Sequence, residues 1–503
     1  MGKSKISVFN AISALVLSLV NGVLGLVVTR LVLSRFGSEF NGLNSVATQI
    51  INMMLIIEGG ITLATNVALL KPYRNREFKA ISSIIIATGN IFKKIGVIFL
   101  ILGVVVTIIY SYIVRTSLDN IIVVLVLLMT FVPAAINLYF TMKYRILIQA
   151  EQKEYIISSI AILTITLGHL INMFLIYCDF NVMWGVRLVV MICSILNSVI
   201  IIVYCKRKYS FLDKSVKPDY LSIRGTKDVF IQKITGAFYS TLPIIFISIF
   251  SASGTAAASV YAVYNSVFLL VKSMLYAITN APRLSMGQTI SEDKSQKTYS
   301  IYLQYELISL LILILFLIST STLITPFVNI YTKGINDINY TDYYISLLLI
   351  IITFLEILHI PSGHIINMSG NFKISKIFQI IACGILLTVT IVGSIIFGIY
   401  GVLFGVLLTA LFLAIAEIYY THCVFFKKGL KTYWKILYPN IIVGIILISL
   451  ELNFTLNIDH YFAFMIKGLL LIIINFFLLI LTNFLFNKKL MKPILTRMKD
   501  IVL

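Results

Sequence analysis

Apolar and polar positions along the 503 residues separate into long blocks, with no short alternating period. Fourteen apolar segments fall near 8–35, 43–70, 95–114, 121–142, 156–178, 183–204, 229–251, 256–281, 299–323, 344–368, 374–396, 399–424, 434–452 and 460–486. An α-helix needs about 20 apolar residues to cross the hydrocarbon core of a bilayer, so each block predicts one membrane-spanning helix. The polar gaps carry the second half of the pattern. Thirty-two of the forty Lys and Arg residues lie before the first segment, in alternate gaps at 71–94, 143–153, 206–227, 283–297, 373–376 and 427–435, and after the last segment. The other gaps hold only Arg35, Arg115 and Lys333 as cations, beside the acids Glu39, Asp119, Asp179, Asp337, Asp342, Glu451 and Asp459. Loops rich in Lys and Arg stay on the cytoplasmic side of a membrane. One helix more or fewer would invert half of this pattern. The sequence therefore predicts an all-α integral membrane protein with fourteen transmembrane helices and both termini in the cytoplasm. The basic start (Lys3, Lys5) has no small-residue cleavage site after its apolar run, which makes 8–35 a membrane helix and not a removable signal peptide.

Composition agrees. Hydrophobic residues make up 59% of the chain and charged ones only 12%, where a soluble domain carries about 25%. The net charge of +20 is spread along one membrane face, where anionic lipid headgroups meet it, and so points to membrane lipids and not to nucleic acid. Cys178, Cys193, Cys205, Cys383 and Cys423 lie within or at the ends of spans and show no paired spacing, which suits apolar fillers better than disulfides or metal ligands.

The longest inner gap follows six helices, so the seventh helix starts on the same side as the first. That allows two parallel six-helix lobes related by an axis along the membrane normal. The expected organisation is an N-terminal lobe at 1–204, a cytoplasmic linker at 205–228, a C-terminal lobe at 229–424, and helices 13 and 14 with a basic tail at 425–503. A short echo, Asn44-Ser45-Val46 and Asn265-Ser266-Val267, falls at matching places in the two lobes. No outer gap is long enough to hold the acceptor and donor of an extracytoplasmic polymerase or glycosyltransferase. No P-loop, His/Glu zinc pattern or Ser/His/Asp arrangement can be placed at one depth. The chain does not read as an enzyme and calls for no cofactor or metal.

Function is then sought among ionisable groups inside the spans, where a charge costs about 2.5–3.5 kcal/mol and by default marks a pathway or a partner. Glu58, Lys272 and Glu356 lie near the middle of their helices, and Arg30 and Lys233 about one turn from an end. Arg187 and Lys467 are near outer ends, within snorkelling reach of the interface, and Glu306 and Glu417 near inner ends, the interfacial position. In the eighth helix Tyr261, Asn265, Lys272, Tyr276 and Asn280 fall within an arc of roughly 100° at 3.6 residues per turn. That stripe carries a central cation and no acid, and Glu58, Thr62, Thr65 and Asn66 share a face of the second helix. Such stripes serve equally to hydrogen-bond helices in a dry bundle. The mid-span lysine favours a wet, electropositive cavity suited to a phosphate-bearing guest.

Four stretches carry a family resemblance: RFGSEFNGLNSVATQIINMMLIIEGGITLATNVALLKP (35–72), FVNIYTKGINDINY (327–340), PSGHIINMSGNFKISK (361–376) and GIYGVLFG (398–405). In order along the whole chain they resemble Wzx-type polysaccharide flippases of the multidrug/oligosaccharidyl-lipid/polysaccharide exporter superfamily. The resemblance implies two six-helix lobes in a V, with helices 1, 2, 7 and 8 lining a central cavity. It implies a bacterial plasma-membrane protein that moves undecaprenyl-pyrophosphate-linked oligosaccharides to the outer leaflet by alternating access. Related lipid II flippases carry essential arginines in that cavity. Here the lining helices carry Arg30, Lys233 and Lys272, with Tyr261, Asn265, Tyr276 and Asn280 as further substrate contacts. Two of the three cations are lysines, which lack the bidentate fork of arginine. Glu58, in a Glu-Gly-Gly where relatives often carry a similar acid, and Glu356 are the acids for coupling to a proton or sodium gradient or to the membrane potential. A polysaccharide polymerase and other assembly proteins would be partners. The rival readings are a drug/cation antiporter of the same superfamily, a secondary transporter of small anions, a membrane glycosyltransferase or polymerase, and a non-catalytic scaffold. The antiporter reading expects twelve helices and a carboxylate in the first, which has none here.

Overall fold

A computed structural model describes residues 3–179, 182–213, 215–223, 227–280, 282, 286, 296–453, 458 and 460–493. Among them the chain is all helix and turn, with no strand. Among the described residues the fourteen long helices are α1 (3–36), α2 (38–75), α3 (Phe78–Ile113), α4 (Asn120–Ala150), α5 (Glu154–Tyr177), α6 (Met183–Lys208) and α7 (Lys227–Phe250). They continue with α8 (Gly254–Asn280), α9 (Gln296–Tyr331), α10 (Tyr343–Met368), α11 (Phe372–Phe397), α12 (Ile399–Phe425), α13 (Lys431–Asn453) and α14 (Tyr461–Phe486). The first two run on almost without interruption. Gly37, at φ 81° and ψ 178°, divides them, a backbone state that costs a side-chain-bearing residue heavily. Twelve apolar helical runs are long enough to cross a membrane, the first being Ile12–Met54. The multi-pass architecture read from the sequence is therefore present.

By contacts the chain divides into two compact units, Met1–Ser259 and Val260–Leu503, the division falling inside α8. In the first unit the 3–54 segment packs on α5 and α7, and α4 packs on α3 and α6. Its core is apolar, with Leu33, Phe40, Phe92, Phe99, Leu127 and Phe131 almost fully buried. At the outer end Glu39 accepts hydrogen bonds from Thr116, Thr255 and, at 2.6 Å, the Ser117 amide. Asn41 Nδ2 donates to Ser259 Oγ at 2.7 Å. This closeness depends on Gly42, where a Cβ would stand 1.7 Å from the Thr255 carbonyl oxygen. Gly42→Ala is expected to lower the thermal unfolding midpoint in detergent by an overpacking cost of about 1–3 kcal/mol. Gly25→Ala, whose Cβ would meet nothing within 4 Å, should leave the midpoint unchanged or raised.

On the expected cytoplasmic side Glu151 organises part of the basic gap. Burial pushes its pKa up, but hydrogen bonds from Lys153, Tyr209 and Lys208 outweigh that and hold the carboxyl below its ordinary value. Tyr209 Oη lies 2.5 Å and Lys208 Nζ 3.1 Å from its Oε2.

In the second unit α11 pairs with α12, α10 packs on α12, and α9 is central, contacting α10, α13 and α14. The last two helices are tied on by buried polar bonds. Glu451 of α13 accepts from Thr322 Oγ1 at 2.5 Å and Asn475 Nδ2 at 2.7 Å, and Asn440 and Asn483 exchange amide bonds at 3.2 and 2.7 Å. Such bonds are the adhesive available between helices where lipid leaves no hydrophobic difference.

Candidate functional site

The mid-membrane charges form separate constellations in the two units. In the second unit, α10 buries Ile345, Leu349, Ile352, Thr353 and Glu356, a helical stripe whose last turn puts a carboxylate where an apolar residue is expected. Glu356 Oε2 lies 2.6 Å from Lys272 Nζ of α8. Both side chains are largely shielded, at 8% and 13% exposure, so the two charges cancel within the protein.

This corrects the reading of Lys272 as an uncompensated cation. No acid shares its own helical face, but one arrives from α10. Of the remaining stripe residues, Tyr261 is buried, Asn265 is half-buried, and Tyr276 and Asn280 are exposed. The side chain of Lys233 lies outside the described residues, while its backbone belongs to α7.

In the first unit, Arg187 of α6 reaches inward and does not snorkel. Its Nε donates to Thr130 Oγ1 of α4 at 2.9 Å, and its Nη2 to Thr48 Oγ1 and the Asn44 carbonyl of α2 at 2.9 and 3.3 Å. All three acceptors are neutral, so they orient the guanidinium without cancelling its charge. Glu58 is half-buried on α2. Arg30 on α1 is half-buried.

Two acids assigned to the interface are in fact interior. Glu306 is 7% and Glu417 4% exposed. Glu306 Oε1 lies 3.0 Å from His422 Nε2 and accepts from Tyr302 Oη at 2.6 Å, while Glu417 Oε2 lies 2.8 Å from His359 Nδ1. The sequence holds a signal for this. Glu306 continues the α9 stripe of Tyr299, Tyr302, Leu310 and Leu313, and three of the five histidines fall between 359 and 422.

No family model matches the chain, and no curated protein sequence matches it. Solved structures do. A lipid II flippase, MurJ, in an inward closed conformation superposes with a TM-score of 0.66 at 16% identity, over 97% of this chain and 100% of that one. An inward-facing multidrug resistance MATE family transporter of the MOP superfamily gives 0.64 at 14% identity, over 87% and 96%. A eukaryotic MATE transporter gives 0.51 at 13%, over 86% and 99%. The chain has the fold these transporters share. Identity at this level establishes the fold and leaves the guest open.

Proposed function

We propose that this chain is a flippase of the bacterial plasma membrane that moves undecaprenyl-pyrophosphate-linked oligosaccharides from the cytoplasmic to the outer leaflet by alternating access. The observation that carries the reading is the Arg187 guanidinium, whose hydrogen-bond acceptors among the described residues are all neutral oxygens of the first unit. A fork oriented in that way retains its charge for an anionic guest, and guanidinium suits phosphate oxygens in bidentate geometry. Lys272, in the second unit, is a separate candidate cation, which an anionic guest would have to draw away from Glu356. The fold shared with a lipid II flippase supports a polyprenyl-linked guest. A cationic drug is less well served by Glu356, which is already paired with Lys272.

The test is reconstitution into vesicles containing a fluorescent undecaprenyl-pyrophosphate oligosaccharide, with the outer-leaflet fraction read by a membrane-impermeant quencher. The protein should equilibrate the lipid between leaflets while protein-free vesicles hold it on one side. Equal rates with and without protein would remove the proposal, as would equal transport of a polyprenyl phosphate bearing no glycan.

A further inference from the structure

The inner end of α12 and the start of α13 bring exposed apolar surface beside unpaired positive charge. The connection between the two helices turns sharply, with Lys427 at φ 55° and Gly429 at φ 70°, and the Lys428 amide donates to the His422 carbonyl at 2.9 Å. A groove of about 240 Å³ lies between α10, α12 and α13, with Leu358, Leu411, Ile415, Leu430, Trp434 and Leu437 in its wall. Leu411, Ile415 and Trp434 are exposed, so the groove opens at the protein surface. It is smaller than the about 300–1,000 Å³ of ordinary small-molecule pockets, and its apolar wall suits a stretch of hydrocarbon chain.

Cations border this groove. Lys427, Lys428, Lys431 and Lys435 fall within nine residues, and no Asp or Glu lies between Glu417 and Glu451. All four lysines are exposed, and among the described residues none of them is in an ion pair. On the groove's other two helices Glu356 is taken by Lys272 and Glu417 lies against His359, and both acids are buried. Lys431, Trp434, Lys435 and Tyr438 share an arc of about 100° at 3.6 residues per turn, so α13 carries cations next to the ring that lines the groove. The Trp434 and Tyr438 rings stack at 5.0 Å with 18° between their planes. Trp and Tyr are the side chains of the membrane–water boundary, which puts this end of the groove at headgroup level.

We propose that the groove holds one acyl chain of an anionic phospholipid of the cytoplasmic leaflet, its phosphate met by Lys431 and Lys435 and by the lysines of the connection. One molecule then covers the apolar wall and neutralises the clustered charge. Basic pockets between membrane helices on the cytoplasmic side suit such headgroups. Lysine serves here as a point charge and needs no fixed fork. A zwitterionic lipid fills the groove equally well but brings its own cation to the lysines. The lipid is a resident component that ties α13 to α10 and α12, separate from any transported guest, and the inference does not rest on the flippase reading.

The test uses the full chain in detergent micelles with trace diacyl lipid carrying a diazirine on one chain, as phosphatidylglycerol or as phosphatidylcholine. After illumination, phosphatidylglycerol should label peptides 411–419 and 430–437 in preference to phosphatidylcholine, by about fivefold for each lysine its headgroup engages. Lys431→Gln/Lys435→Gln should bring the two lipids towards parity while the thermal midpoint in lipid-free detergent stays unchanged. Ile415→Trp, which fills the groove and keeps the lysines, should remove labelling by both lipids. Equal labelling of the natural chain by both lipids overturns the site, as does a preference that survives replacement of all four lysines by Gln. A preference no greater than that at the inner end of α14, where Lys488 and Lys489 supply charge without this groove, would mark a general surface effect and reject the site. Loss of the label on adding soluble glycerol phosphate would overturn the lipid occupant and assign the lysines to a soluble phosphate. Stronger labelling by a polyprenyl pyrophosphate would likewise overturn the resident lipid. Selective labelling of a chain that moves no glycan lipid would defeat the flippase reading and leave this site standing.

Discussion

Lys272→Ala is expected to cost both stability and transport, and the two losses should separate in a double variant. In the single variant Glu356 keeps its burial and loses the ammonium 2.6 Å away. Breaking a buried pair from one side costs about 3–5 kcal/mol, because an uncompensated charge remains inside. The thermal midpoint in detergent should fall sharply, or the chain should insert poorly. Replacing both partners in Lys272→Met/Glu356→Leu removes the stranded charge, and well-packed apolar pairs often match or exceed the stability of the ion pair they replace. The double variant should therefore regain its midpoint. On the proposed reading, leaflet exchange of the glycan lipid should remain absent, because a cation offered to the pyrophosphate is gone. Restored exchange in the double variant would show that the pair is structural and that Lys272 has no part in binding.

Arg187→Ala should show a smaller loss of stability than Lys272→Ala, that of three hydrogen bonds with no charge stranded, and a large loss of transport. The groups it leaves behind are neutral and already served: Thr130 Oγ1 donates to the Val126 carbonyl at 2.7 Å, and Thr48 Oγ1 to the Asn44 carbonyl at 2.8 Å. No charge is stranded by the substitution. A hydrogen bond to a charged group contributes about 1.5–3 kcal/mol, so removing the contact to pyrophosphate should slow exchange by about 10- to 100-fold. Arg187→Lys keeps the charge and loses the fork, and should fall between the two. Exchange at the natural rate in Arg187→Ala would take this residue out of the mechanism. A midpoint that collapsed with it would mark Arg187 as a structural tie between α2, α4 and α6.

These contrasting expectations arise from neighbours that no helix carries on its own face. The α8 stripe from Tyr261 to Asn280 was legible as a polar face with a central cation, because period and residue type are both local. Its net charge is not legible there, because the acid that cancels it comes from a helix 84 positions further along the chain. Depth was misleading for Glu306 and Glu417. Both lie near inner helix ends, where the interface offers water, yet the packing of α9, α10 and α12 encloses them. Depth alone puts Arg187 within reach of the interface, and its three acceptors on α2 and α4 turn it inward instead.

The sequence by itself determined that this is an all-helical, multi-pass membrane protein, and its basic gaps predict the orientation. It did so because crossing a bilayer demands a contiguous apolar length, and orientation depends on the loops that flank it; both are properties of neighbouring residues. Only the tertiary structure decided which charges are cancelled, which remain available and which are sealed from water. A helical period tells a side chain which face of its own helix it occupies. What that face meets depends on residues tens to hundreds of positions away, brought close by packing alone.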